Sequence, residues 1–124
     1  MEPIKIAPSE FSPEVIINPT ENIYLISGWS RPEHPAKFYL PVLQWIGEHG
    51  EKYLNGAVFE FKVVYFNTPS ARSLRNILDQ LDVLHKKGVS VSVNWYYEDM
   101  SFKEEFEYEF EKGLSIPIRF IENK

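Results

Sequence analysis

Two hydroxyl groups stand where the stretch "YFNTPS" (residues 65–70) passes from an aromatic strand end into a helical pattern. A helix N-terminus presents unpaired N–H donors and the positive end of the helix dipole, so it tolerates a phosphoryl group on Thr68 or Ser70. Such a group adds roughly −1.5 to −2 charge and can switch the binding of a partner. The same residues also have a structural explanation, with Thr68 as the N-cap, Pro69 at the first helical position and Ser70 satisfying free N–H groups. The local sequence alone favours this capping explanation.

The rest of the chain lacks the usual patterns of catalytic and metal-binding sites. It contains no cysteine, and its three histidines lie on different predicted elements without a ligand spacing. There is no Gly-rich phosphate loop and no G-x-S-x-G elbow. The acidic run at residues 104–111 is interpreted as a solvated helix face rather than a cation site. We therefore expect a non-enzymatic protein without a cofactor or metal, and an enzyme of unrecognised type is the least favoured alternative.

Length and composition fit one globular domain that spans residues 1–124. The 124 residues are 44% hydrophobic and 15% aromatic, which suffices for a packed core. The net charge is −5 and the 13 basic residues form no stripe, which argues against nucleic-acid binding. The N-terminus lacks the pattern of a secretory signal, and every apolar stretch is too short to span a membrane. We expect a soluble, cytoplasmic domain without membrane insertion.

The first half of the chain reads as an arm, a hairpin and a helix. Residues 1–11 are expected to form an irregular N-terminal arm, with a short edge strand as the alternative. Residues 15–17 and 23–27 are predicted strands around a turn at 18–22. Apolar residues at helical spacing predict a helix over 34–49, closed by glycine.

The second half alternates strands and helices. Residues 57–66 predict a central strand, with Phe59, Phe61, Val63 and Tyr65 on one face. The leucine-rich stripe after residue 70 predicts the next helix, which ends at Gly88.

Three further elements complete the predicted order. The alternation at 89–97 predicts a strand whose second face is more polar. A helix is favoured over a strand at 98–113, and 115–121 is a predicted edge strand. The order β-β-α-β-α-β-α-β indicates an α/β fold with parallel neighbours, with helices mainly on one face of a mixed sheet.

Three stretches of the chain carry a specific set of motifs, namely "GWSRPEHPAKFYLPVLQWI", "VVYFNTPSARSLRNIL" and "VSVNWYYEDM". Their specific parts are G-x-S-x-P-E followed by F-Y-x-P-x-x-x-W, then Y-F-N-T-x-S and W-Y-Y-E. In these parts, and from about Ser12 to Phe120, the chain resembles the SiaC family of bacterial regulatory phosphoproteins. The resemblance implies a STAS-like fold, similar to anti-sigma-factor antagonists.

The resemblance also implies a function, that of a partner switch. The threonine of Y-F-N-T, which is Thr68 here, would be the phospho-acceptor, with Ser70 as the fallback. A kinase of the histidine-kinase-like ATPase type would phosphorylate it and a PP2C-type phosphatase would reverse the reaction. The unphosphorylated protein would bind a signalling partner, for which a diguanylate cyclase is the family's example. Two departures concern recognition: Pro69 stands where the family commonly has serine, and the acidic stretch after W-Y-Y-E is shortened.

A shared partner surface is expected at one edge of the sheet. The segments 28–33 and 67–70 both follow predicted strands, and connections of this kind gather at the carboxyl ends of parallel strands. Arg72 and Arg75 are candidates to neutralise a phosphate on the helix start, although a solvated surface role is favoured for Arg75. The candidate contact residues are Asn67, Pro69, Ser70, Arg72, Ser30 and Glu33. The alternative function is a small-ligand or nucleotide sensor that uses the same surface without covalent modification.

Overall fold

Six strands and two long helices are present in the computed structural model, which describes residues 3–98, 104, 110 and 112–123. The bounds in chain order are β1 Ile4–Ile6, β2 Glu14–Asn18, β3 Ile23–Ser30, α1 Pro35–Tyr53, β4 Val58–Phe66, α2 Thr68–Lys86, β5 Ser92–Tyr97 and β6 Ile118–Glu122.

The strands form one mixed sheet in the order β1-β2-β3-β4-β5-β6. β1, β2 and β3 pair antiparallel, whereas β3, β4, β5 and β6 pair parallel. The four parallel strands therefore end along one edge of the sheet, which we call the carboxyl edge. The predicted central position of β4 and the predicted edge position of β6 are both confirmed.

Both helices cover the same face of the sheet. Each of them connects two neighbouring parallel strands in the same direction along the sheet, and right-handed crossovers place such helices on one side. Beneath them the core contains Phe61 stacked on Trp95 with ring centroids 4.7 Å apart, and Trp45 of α1 lies 5.9 Å from the Tyr24 ring. The mixed α/β class is confirmed, and the likeness to STAS domains in element order and helix arrangement stays a prediction.

The second face, which we call the open face, carries the polar side chains that the alternation predicted. Tyr96 donates a hydrogen bond to Glu60 across two parallel strands at 2.6 Å. The Lys62 ammonium lies 4.8 Å from the centre of the Tyr96 ring. The open face therefore stabilises itself by pairs of side chains that lie across neighbouring strands.

Three boundary predictions are corrected by the structure. The N-terminal arm contains the short edge strand that was its alternative, because Ile4–Ile6 pairs with β2 at the edge of the sheet and packs its isoleucines against the core. β3 continues to Ser30, so part of the predicted connection at 28–33 lies in the strand. α1 continues through Gly50 to Tyr53, although the sequence predicts that glycine closes this helix after residue 49. A Cβ at Gly50 would lie 2.7 Å from Leu84 Cδ1, so this glycine lets the two helices approach closely.

Tyr65 does not share a face with Phe59, Phe61 and Val63, as the strict alternation had predicted. Gly28 pairs with Val63 while the next residue of β3, Trp29, pairs with Tyr65, so Val64 is an extra residue in β4. This β-bulge shifts the alternation by one residue and turns the Tyr65 side chain toward the open face.

The predicted helix at 98–113 falls largely outside the described residues. Within this range Phe110 is buried, and its ring stacks on that of Trp95 with centroids 5.0 Å apart. The Phe66 ring lies 5.5 Å from Phe110 in an edge-on arrangement. Phe110 therefore packs on the face that the helices cover.

A buried carboxylate fixes the chain just before β6. Asp82 of α2 is 4% exposed and accepts hydrogen bonds at 2.8 Å from the amides of Ser115 and Ile116. Its second oxygen lies 3.1 Å from the Lys86 ammonium. Burial alone would raise the pKa of Asp82, but the hydrogen bonds from the Ile116 amide, from Lys86 and from the adjacent amide outweigh it and hold the pKa below its usual value.

We expect Asp82→Ala to lower the free energy of unfolding by about 2–3 kcal/mol at pH 7, because two backbone N–H groups lose a charged acceptor. Because the folded pKa is depressed, this stabilisation is present above the unfolded pKa and disappears as the pH falls through the folded value. Urea unfolding at pH 7 and at about pH 3 measures both effects. Asp79→Ala is the control, because its half-exposed ion pair with Arg75 contributes less than about 1 kcal/mol. An Asp82→Ala effect of equal size at both pH values would contradict this assignment.

Candidate functional site

The carboxyl edge brings together the two segments that the sequence placed there. Ser30 ends β3 and pairs in parallel register with Phe66, the last residue of β4. The Asn67 amide then donates a hydrogen bond to the Ser30 carbonyl at 3.2 Å. The start of α2 is thereby fixed to the end of β3, so the two segments share one edge as predicted.

The N-cap of α2 is Asn67, and the predicted assignment of Thr68 to this position is wrong. Asn67 has extended backbone angles (φ −85°, ψ 172°), and its Oδ1 accepts a hydrogen bond from the Ser70 amide at 3.0 Å. Thr68 and Pro69 are consequently the first and second helical residues. An asparagine side chain is as good a cap as threonine, and it reaches the third amide from the preceding position. The Thr68 hydroxyl makes no hydrogen bond to any described residue, so the capping explanation does not account for it.

Thr68 is exposed and faces a shallow cavity of about 290 Å³. Arg72 and Arg75 also line this cavity, and Arg72 follows Thr68 by one helical turn. Arg75 is paired with Asp79 at 2.9 Å, whereas Arg72 forms no ion pair with a described carboxylate. The Thr68 hydroxyl is thus an accessible group beside positive charge at the amino end of a helix.

Two of the predicted contact residues, Ser30 and Ser70, do not lie on the surface. Both are fully buried. Ser30 occupies an inward position of β3, and its Oγ lies 2.5 Å from the Tyr39 hydroxyl of α1. Ser70 is the third residue of α2, on the same face as the buried Leu74, and its hydroxyl has no partner among the described residues. Neither side chain can touch a partner while the edge keeps this structure.

The hydrogen bond between Ser30 and Tyr39 joins α1 to the carboxyl edge. Burial raises the pKa of Tyr39 to about 12, and the Ser30 hydroxyl opposes that shift without cancelling it. The Tyr39 phenol is therefore neutral at any physiological pH and is a fixed structural contact. This pair is not apparent from the predicted strand at 23–27, but the inward alternation from Ile26 to Ser30 indicates it when the strand continues to Ser30.

The remaining predicted contacts are accessible in whole or in part. Glu33 and Pro69 are exposed, and Asn67 is half-buried by its capping role. The Glu33 side chain is 91% exposed, and a carboxylate oxygen lies 3.9 Å from His34 Nε2. Together with Thr68 and Arg72 they form the accessible part of the carboxyl edge.

The described residues contain no group of three or more acidic or histidine side chains arranged to hold a metal ion. The helices that they form are also too short or too polar to cross a membrane. The site is one exposed hydroxyl on a capped helix start, beside arginine and without a hydrogen-bond partner among the described residues.

Comparison with known proteins assigns a class to this arrangement. Residues 6–123 match the sequence model of a family of regulatory phosphoproteins. That family is described as "SiaC family regulatory phosphoprotein", and the chain belongs to it. The resemblance read from the three motifs is therefore confirmed.

Solved structures of SiaC proteins share the fold across nearly the whole chain. SiaC of Pseudomonas aeruginosa superposes with a TM-score of 0.88 at 23% identity, covering 99% of this chain and 100% of that one. A chain in the crystal structure of the diguanylate cyclase SiaD with its activator SiaC, from the same organism, matches with a TM-score of 0.83 at 22% identity, covering 97% of this chain and 99% of that one. An uncharacterized protein of P. aeruginosa (strain UCBPP-PA14) is 27% identical over 94 residues, 75% of each chain.

We expect Asn67→Ala to lower the free energy of unfolding by about 1 kcal/mol, because the Ser70 amide loses its cap. Thr68→Ala is the matched substitution one residue later and should change stability by less than about 0.5 kcal/mol. Thermal and urea unfolding of the two variants measure the difference. Equal losses in the free energy of unfolding would show that the Thr68 hydroxyl also stabilises the fold.

Proposed function

We propose that the protein is a non-enzymatic partner switch that binds a signalling protein while Thr68 is unphosphorylated and releases it when Thr68 is phosphorylated. This proposal rests on the different roles of two adjacent residues, Asn67 and Thr68, at the start of α2. Asn67 caps the helix, so the neighbouring Thr68 hydroxyl is exposed and has no partner among the described residues. Membership in a family of regulatory phosphoproteins supports the same reading.

A phosphoryl group on Thr68 suits the local electrostatics of the protein itself. It would lie at the positive end of α2 and within reach of Arg72, so the folded domain would tolerate it. It would nevertheless replace a neutral hydroxyl with roughly −1.5 to −2 charge on an accessible surface. Phosphorylation should therefore change the contact surface without unfolding the edge.

The partners are proposed from the family. SiaC is named as the activator of the diguanylate cyclase SiaD in the complex of those two proteins, and a diguanylate cyclase is our proposed target here. A kinase of the histidine-kinase-like ATPase type would phosphorylate Thr68, and a PP2C-type phosphatase would remove the phosphate. Because the kinase and the cyclase use nucleoside triphosphates, we place the switch in the cytoplasm.

Ser70 is a poor second acceptor in this structure. Its hydroxyl is buried on the inner face of α2, so a kinase could reach it only after the first helical turn opened. Ser70→Ala removes a buried hydroxyl that has no described partner and should cost little stability. This variant is consequently a matched control for Thr68.

We expect intact-mass and peptide mass spectrometry of the protein from its native host to show one phosphate, on the peptide containing Thr68. Thr68→Ala should abolish the modification, and Ser70→Ala should retain it. Phosphate confined to Ser70 would move the acceptor, and no phosphate under several growth conditions would contradict the switch. In that case a thermal-shift screen with nucleotides would test the ligand-sensor alternative, because a bound ligand raises the melting temperature.

Binding to the purified diguanylate cyclase of the host tests the consequence of phosphorylation. We expect Thr68→Ala to bind as the unmodified protein does and Thr68→Asp to bind at least about tenfold more weakly, because the partner would have to desolvate a negative charge in the contact. Calorimetric titration measures both affinities. Equal affinities of Thr68→Asp and the unmodified protein would contradict control by charge.

A further inference from the structure

Three exposed aromatic side chains and one arginine gather where β3 and β4 end. Phe11 is 55% exposed, Trp29 is 47% exposed and Tyr65 is 39% exposed. Arg31 lies among them, and we call these four residues the aromatic cluster. Large exposed apolar patches on a folded domain are typical of interaction surfaces.

The aromatic cluster is held in place by contacts among its own members. Trp29 pairs with Tyr65 in the sheet, and their ring centroids are 5.3 Å apart. The Arg31 guanidinium lies 5.4 Å from the centre of the Trp29 ring and 5.2 Å from that of Phe11. The Arg31 amide also donates to the Phe11 carbonyl at 2.8 Å. The surface is therefore already ordered before any partner arrives, which reduces the entropy that binding must overcome.

A departure from regular strand geometry produces this exposure. Ser30 contacts Tyr39 under the helices, so the preceding residue, Trp29, faces the open side of the sheet. Regular alternation in β4 would bury Tyr65 beneath the helices, but the bulge at Val64 turns it to the same side as Trp29. Bulges re-aim side chains in this way next to functional sites. On the opposite strand the register shift coincides with Gly28, whose φ of +117° strongly favours glycine.

The aromatic cluster adjoins the proposed phosphorylation site. Tyr65 precedes Thr68 by three residues, so their Cα atoms lie within about 11 Å of each other. The hydrogen bond from Asn67 to Ser30 joins the ends of the two strands that carry Trp29 and Tyr65. A protein segment seated on the cluster would therefore lie close to Thr68.

We propose that the aromatic cluster is the anchor for the signalling partner and that it binds an apolar side chain flanked by carboxylates. Arg31 forms no ion pair with a described carboxylate; its Nε lies 3.4 Å from the Glu10 carbonyl oxygen, so its remaining N–H groups can meet an acidic partner. Aromatic residues and arginine are the side chains most often found at the energetic centre of protein interfaces. The inference rests on the proposed switch at Thr68 and adds the surface and the partner chemistry on which that switch acts.

This arrangement explains the direction of the switch. A phosphate on Thr68 would face the acidic segment that Arg31 attracts, so the two would repel each other without any change in fold. Charges on an exposed surface are screened beyond about 8 Å at physiological ionic strength. The difference in affinity between the phosphorylated and unmodified protein should therefore become smaller as salt is raised.

Affinity for the purified diguanylate cyclase of the host tests the anchor. We expect Trp29→Ala to bind at least about tenfold more weakly, as for an interface anchor. Ile23→Ala is the matched control, because Ile23 is a similarly exposed residue at the far end of the same strand and on the same face. Melting temperatures and circular dichroism show that each variant is folded.

Charge substitutions test the partner chemistry. We expect Arg31→Glu to bind at least about tenfold more weakly, because the charge is reversed. Arg31→Lys should keep most of the affinity because it retains the charge, and should lose the part that depends on planar stacking. Equal affinities of Arg31→Glu and Arg31→Lys would overturn the acidic partner.

The pattern of results separates this inference from the proposed function. If Thr68→Asp weakens binding while Trp29→Ala does not, the switch stands and the anchor is wrong. If Thr68→Asp binds normally, the switch itself is wrong, and failure of the unmodified protein to bind the cyclase contradicts both. A dimer that Trp29→Ala dissociates, seen by light scattering, would overturn the anchor by assigning the cluster to a second copy of the chain.

Discussion

The carbonyl and side chain of Ser30 fix the geometry on which the site depends. The carbonyl accepts the Asn67 amide and so sets where α2 begins, while the hydroxyl contacts Tyr39 and so fixes α1 above the same edge. Because both contacts are made by one buried residue, the ends of β3 and β4 and the two helices cannot move independently. A buried hydroxyl that lost its partner would carry the full penalty of an unpaired polar group, which makes this junction rigid. The positions of Thr68 and Trp29 follow from it, and the bulge at Val64 sets the direction of Tyr65.

A rigid junction determines what kind of switch is possible. Asn67 supplies the cap, so modification of Thr68 removes no hydrogen bond that the described residues make and gives the fold no reason to rearrange. The modification then acts through charge at the surface, whose effect is local and depends on what the partner places opposite it. Arg72 helps the folded domain to tolerate the modification, since its guanidinium can bind a phosphate one helical turn away. A switch of this design needs a nearby anchor to bring the partner's charge within range, and the aromatic cluster has that position.

The elements with strong periodicity could be predicted from the sequence, and the details that shape the site could not. The leucine stripe of α2 and the alternation of β4 each repeat over several residues, so their type and approximate bounds were clear. The exchange of Thr68 for Asn67 as N-cap is a shift of one residue between two good caps, which local preference does not resolve. The bulge at Val64 depends on the register between two strands that are distant in sequence. The burial of Ser30 followed from the same cause, because only the pairing with β4 extends β3 that far.

The bulge shows how a small change in backbone geometry can assign stability and partner binding to different residues of one strand. Phe59, Phe61 and Val63 of β4 point into the core, where each stabilises the fold by burial. One extra residue then directs the next aromatic side chain to solvent, where it contributes little to stability by itself. Tyr65 and Trp29 instead bury part of each other's surface, and Arg31 covers another part while its charge stays in water. The result is an apolar patch that the monomer tolerates, beside a hydroxyl that the helix does not need. Stability and recognition therefore depend on different residues of the same two strands, so partner contacts can change in evolution without loss of the core.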